Sequence, residues 1–191
     1  MPTIADTIRQ DHVNMAKLLK ILEHEVGLFA KAERPNHDII QSIVYYFQRY
    51  SDRCHHPKED VVYRHIMAHD ANAAGAIGDL EAEHRRIAEQ LGMFAEAVRN
   101  VLNEAEMPRE VFVSAAEKFI AAERRHMGME EGKFLPLADK LLNAEEWAKI
   151  ASEVDVETDP LFGKKGAAEF DELREHIINW EAEDNVARAR E

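Results

Sequence analysis

The chain has 191 residues, 46% of them apolar, enough to fill one hydrophobic core and too few to demand two independent domains. A formal charge of −13 argues against a nucleic-acid or anionic-membrane surface, because phosphate binding rests on clustered Lys and Arg. The single cysteine, Cys54, excludes an intrachain disulfide and a thiolate-rich zinc or iron–sulfur site, so any metal must be held by nitrogen and oxygen.

The opening residues show neither the basic nor the apolar region of a signal peptide. No stretch approaches the roughly 18 apolar residues of a membrane span, and a cytoplasmic location is expected. A first helix is predicted from Ile8, Met15, Leu19, Leu22, Val26 and Phe29, which fall on one stripe at steps of four and three, with His12 among them. A second carries Ile40, Val44, Phe47, Ser51, His55, Glu59, Val62 and Ile66, and Pro57 should bend it beside His55. A third carries Ile77, Leu80, His84, Ile87, Leu91, Phe94, Val98 and Val101. The fourth runs through Phe112, Phe119, His126, Glu130, Phe134, Leu137 and Leu141.

Breaks at Arg34-Pro35-Asn36, at His69 to Asn72 and at Glu106-Met107-Pro108 leave short connections between long helices. Short connections imply antiparallel neighbours, so the predicted fold is all-α: an up-down-up-down four-helix bundle over residues 1–142. Residues 143–191 form an acidic helical extension with 14 Asp and Glu against 6 Lys and Arg. It restarts at the Asn143 cap and ends in a helix from Ala167 to Trp180.

Each predicted helix interrupts its apolar stripe with a histidine. His55 and Glu59 recur as His126 and Glu130, seventy-one residues on, and each glutamate is followed by a second acid, Asp60 or Glu131. Positions i and i+4 of a helix lie one above the other and can grip one ion from consecutive turns. Counted from the predicted turns at about 1.5 Å per residue, His12, His55, His84 and His126 reach one level of the bundle. Burying two unpaired carboxylates would cost several kcal/mol each, whereas a cation satisfies them together with the imidazoles. The residues thus predict a metal site, with two grips for two ions.

This order, His, His-x-x-x-Glu, His, His-x-x-x-Glu on four helices, resembles the hemerythrin family, in particular its bacterial HHE cation-binding members, over residues 3 to 142. The resemblance implies two non-heme irons, with His12 and His55 serving one, His84 and His126 the other, and Glu59 and Glu130 bridging. Manganese or zinc would also suit nitrogen and oxygen ligands with open positions. Oxygen-carrying hemerythrins place another histidine where this chain has Ala88. The remaining set of four histidines and two glutamates is similar to that of RIC-type iron–sulfur repair proteins.

The expected function is therefore binding and reduction of a small oxidant, dioxygen or peroxide, or of nitric oxide, with a protein partner or electron donor. The alternatives are a metal-dependent sensor acting through the C-terminal helices, and RIC-like iron donation. Glu81-x-x-His84 and Glu123-x-x-His126 also match the spacing of ferritin-like di-iron bundles, but both glutamates fall off the apolar stripes and the second connection is too short for a crossover. His56 with Asp60 duplicates the spacing of His55 with Glu59 and is set aside because the fourth helix aligns with the first pair. His65 and His69 are expected at the surface. Tyr63, one turn after Glu59, is the candidate catalytic phenol.

Overall fold

Thr3 starts α1 (Ile4–Ala30): its hydroxyl accepts from the Asp6 N–H while the Asp6 carboxylate accepts from the Thr3 N–H, satisfying two otherwise orphaned donors. The computed structural model describes residues 3–154, 158–163 and 166–188, and these are helical with no strand among them. Asn36 caps α2 (His37–Tyr46), which continues without interruption through a π-helical segment, Phe47–His55, into α3 (His56–His69). After a 3₁₀ turn and the single-turn α4 (Ala74–Ile77), Asp79 caps α5 (Leu80–Leu102). α6 (Arg109–Met129) passes through a second π-helical segment, Glu130–Phe134, into α7 (Leu135–Leu141). The extension holds α8 (Ala144–Glu153), whose Asn143 and Glu146 make a second reciprocal cap, and α9 (Asp171–Arg188).

The four predicted helical stretches are therefore present, with two boundary corrections. Ile77 does not open the third helix. It closes α4, because Gly78 turns the chain at φ 78° and Asp79 restarts it. The last helix begins after a 3₁₀ turn at Ala168–Phe170 and extends beyond Trp180 to Arg188.

α5 packs along α6, α1 lies against α6 and α2, and α2 also meets α5 and α9. The apolar interior forms two clusters with a polar layer between them. On α1, Ile8 belongs to one cluster and Met15 to the other, with Asp11 and His12 between. On α5, Leu80 and Ile87 flank His84 in the same way, and His126 and Glu130 separate Phe119 from Phe134. The extension contributes to both clusters, Ile150 to the first and Leu161, Phe170, Leu173 and Ile177 to the second. Surface ion pairs, His65 with Glu153 at 3.1 Å and His69 with Glu146, fasten α8 to α3. No helix among the described residues is long and apolar enough to cross a membrane.

Candidate metal centre

Both His-x-x-x-Glu motifs sit at a junction of π and α geometry. His55 ends the first π segment and Glu59 lies on α3, while His126 lies on α6 and Glu130 opens the second π segment. A π turn carries one more residue than an α turn, and such turns are frequent at functional sites. Each is followed by a proline at the start of the next helix, Pro57 on α3 and Pro136 on α7. A proline is tolerated in a first helical turn because it has no N–H to pair there.

The six predicted residues meet in one buried cluster. Nε2 of His12 lies 3.2 Å from Glu59 Oε1 and 3.3 Å from Glu130 Oε2, and Nε2 of His55 lies 3.2 Å from Glu59 Oε1. Across the cluster, Nε2 of His84 is 3.4 Å from Glu59 Oε2, and Nε2 of His126 is 3.3 Å from Glu130 Oε1. Each glutamate therefore turns one oxygen to His12 and the other to His84. His12, His55, Glu59 and Glu130 each offer a donor atom within 4.8 Å of the others, and so do His56, Glu59, His84 and His126.

Three of the four outward nitrogens are committed to carboxylates. Nδ1 of His12 lies 2.7 Å from Glu131, Nδ1 of His84 2.8 Å from Asp60 and Nδ1 of His55 3.1 Å from Asp11, while Glu83 faces Nδ1 of His126 at 3.9 Å. A carboxylate only accepts, so Nδ1 of His12, of His55 and of His84 each carries a proton, and in the neutral ring the lone pair falls on Nε2, which points inward; Nδ1 of His126 makes no hydrogen bond among the described residues. Nε2 of His84 and Nε2 of His126 stand 3.0 Å apart, a contact that requires a proton or a cation between the two nitrogens. Nε2 of His55, Oε2 of Glu59 and both oxygens of Glu130 make no hydrogen bond among the described residues. Converging acceptors without donors are what a cation requires and what a merely structural polar core avoids.

In the metal-free protein, protons substitute for the cation. Burial disfavours the charged form of His12, but the facing carboxylates of Glu130 and Glu59 outweigh it and raise its pKa to about 11. His84, likewise opposed by burial, is raised to about 12 by Asp60, Glu130 and Glu59, and His55 to about 9 by Glu59 and Asp11. Burial of Glu59 opposes its ionisation, but the imidazoles of His55, His12 and His84 outweigh it and hold the carboxyl well below the usual carboxylate range.

The sequence model of the hemerythrin HHE cation-binding domain matches residues 3–138. The chain belongs to that family. No curated protein and no solved structure matched it. Membership makes this HHE domain a cation-binding protein, and the buried cluster is where its geometry can receive a cation.

Several residues of the HHE centre escaped the sequence reading. His56 is not a bystander: it is buried, stacks on the His84 ring at a centroid distance of 4.3 Å and lies within ligand reach of Glu59, His84 and His126. Tyr63 is placed elsewhere, since its hydroxyl donates to the Gly78 carbonyl at 3.2 Å in the loop before α5. The phenol connected to the cluster belongs to Tyr50, which donates to Asp11, the residue bonded to His55. Buried Lys58 joins them, its Nζ 3.1 Å from Asp11 and 3.0 Å from the Tyr50 hydroxyl.

Glu123, expected off the apolar stripe, is buried with both carboxylate oxygens unbonded among the described residues, and burial raises its pKa to about 7. The second acid of each motif was visible in the sequence. Its role was not, because Asp60 and Glu131 serve histidines on other helices.

Proposed function

We propose that the chain is a non-heme di-iron protein that binds and reduces a small oxidant, dioxygen or peroxide, or nitric oxide. The observation that carries this reading is the convergence of four Nε2 atoms on two glutamates, three of whose four oxygens make no hydrogen bond among the described residues. His12 and His55 would hold one ion, His84 and His126 the other, with Glu59 and Glu130 shared. The four long helical stretches would alternate up and down over residues 1–142, with residues 143–191 as an appended unit.

When bound, the irons would supply open coordination positions and exchangeable electrons to the incoming molecule. The protein's own part is to position, insulate and manage protons. The flanking apolar clusters keep bulk water from the polar layer. The outward carboxylates fix the tautomers of His12, His55 and His84 and make their inward nitrogens more basic. Glu123, neutral below about pH 7, holds a proton beside the cluster.

Metal analysis and optical spectra of protein purified without chelator test the reading. The expected result is close to two irons per chain, with near-ultraviolet bands that change on adding peroxide or nitric oxide. One zinc, or no bound metal after iron reconstitution, would sink it.

A sensor reading is favoured by one contact. Asp159 of the extension accepts from Tyr46 at 3.0 Å and from Asn14 at 3.4 Å, and Asn14 follows closely on Asp11 and His12 in α1. A protein partner whose binding follows metal occupancy, and which is lost on Asp159→Ala, would favour this second reading.

A further inference from the structure

Beside His84 a cavity of about 380 Å³ separates the start of α3 from α5, with Pro57 on one wall and the small side chain of Ala88 on the other. We propose that it is the inlet for divalent cations and that His56 and Asp52 are transit ligands, which bind a cation briefly and pass it inward. The proposal rests on the metal reading of the cluster.

His56 lines the cavity and is 3% exposed. Its Nδ1 lies 3.5 Å from Asp52 Oδ1, and that oxygen makes no hydrogen bond among the described residues. Its Nε2 is 3.3 Å from the Ser51 hydroxyl, a weak partner that a cation can displace. One step inward, His56 shares a 4.8 Å donor group with Glu59, His84 and His126. A cation held by His56 and Asp52 can therefore gain its next ligand before releasing its last, with no apolar gap to cross.

His56 is also surplus to the six residues that form the paired centre. Its counterpart seventy-one residues on is Met127, which offers no nitrogen. Around the cavity stand the carboxylates of Asp52, Asp60 and Glu81 against the guanidinium of Arg85. Glu81 is held by Arg64, while Asp52 and Asp60 are the more buried acids. An excess of carboxylates concentrates cations at an opening and gives nothing to a neutral diatomic molecule.

A transit ligand changes the rates of uptake and release by one factor and leaves the equilibrium in place, whereas a resident ligand changes the equilibrium. The test is stopped-flow uptake of Co(II) by the metal-free full chain, followed by its visible absorption, with release into excess chelator measured in parallel. His56→Gln is expected to slow both directions by about tenfold, and Asp52→Asn by about threefold with a weaker dependence on salt. Both variants should still end at the wild-type stoichiometry and affinity.

Unchanged rates in both variants would overturn the proposal. So would a lost equivalent, or faster release with uptake unchanged and hence a weakened affinity, which would make His56 a permanent ligand. Should His56→Gln misfold, the surface-reaching Asp52→Asn still decides. Wild-type protein that takes up no Co(II) would instead remove the metal reading beneath the proposal.

Discussion

The carboxylates behind the imidazoles give the centre its most direct test at the level of single residues. Asp60 and Glu131 touch no inward-facing atom of the cluster; each holds the Nδ1 proton of one histidine. Asp60→Asn or Glu131→Gln should weaken metal affinity by about 10- to 100-fold with the fold intact, measured by competition with a chelator. Wild-type affinity in both variants would show that the tautomers are fixed by something else.

The same groups set a pH dependence in the metal-free protein. His12 and His84 have folded-state pKa values of about 11 and about 12 against an ordinary 6.5, so their stabilisation is complete below pH 6.5 and is lost as pH rises through those values. Glu59 and Glu130 are lowered, so the carboxylate side of the same pairs is lost as pH falls below 4.5. Glu123, raised to about 7 by burial, acts in the opposite sense and costs stability as pH rises from 4.5 to 7. Chelator-stripped protein should therefore melt at a lower temperature at pH 9 than at pH 6, and Glu123→Gln should reduce that difference. A melting temperature that rises over this interval would contradict the assignment.

Helices end here by rules that allow simple changes in stability. Glu104, just past α5, adopts the left-handed conformation at φ 53°, where the Glu104 and Ala105 N–H groups close the helix on Val101 and Asn100. Glycine has no Cβ to strain in this conformation, so Glu104→Gly should stabilise the protein by about 1 kcal/mol, measured by denaturant unfolding. Helix positions were legible in the sequence because apolar residues repeat every three or four positions and Asn143 is a capping residue; the caps at Thr3, Asn36 and Asp79 were not read, and the start of α5 was misplaced with them. The π segments were not legible, since adding one residue to a turn leaves the spacing of His55 and Glu59 unchanged as text. His56 was set aside because the fourth helix aligns with His55 and Glu59, an alignment that does not show that a π turn lets both adjacent side chains stay inside. The six inward residues were readable because they share a level. The four outward carboxylates were not, because each acts across a helix interface.

At the scale of the whole molecule, the extension belongs to the same interior as the bundle. Ile150 packs in the cluster around Ile8 and Phe134, and Phe170, Leu173 and Ile177 pack in the cluster around Phe47 and Phe119. Removing residues 143–191 would uncover both ends of the core. The truncated chain should lose several kcal/mol and associate in solution. A monomeric truncation with the full-length melting temperature would instead make the extension an independent unit.

The crossed carboxylates carry one more consequence. The acid before the first histidine, Asp11, serves His55, and the acid before the third, Glu83, faces His126. Asp60 serves His84 and Glu131 serves His12. The centre thus has an internal pseudo-twofold symmetry, in which each half of the chain completes the other. That symmetry is broken where Tyr50 and Lys58 surround Asp11, for their counterparts are Ala121 and Met129. The Lys58 ammonium bonds Asp11 directly, whereas Glu83 has only the more distant charge of Arg86 to offset it, so on the two-ion reading the ions should differ in affinity, that at His84 and His126 binding first. A Co(II) titration should show two separate steps, and Lys58→Met, which copies the other half, should draw them together. A duplicated motif would then have become an ordered pair, filled one ion at a time.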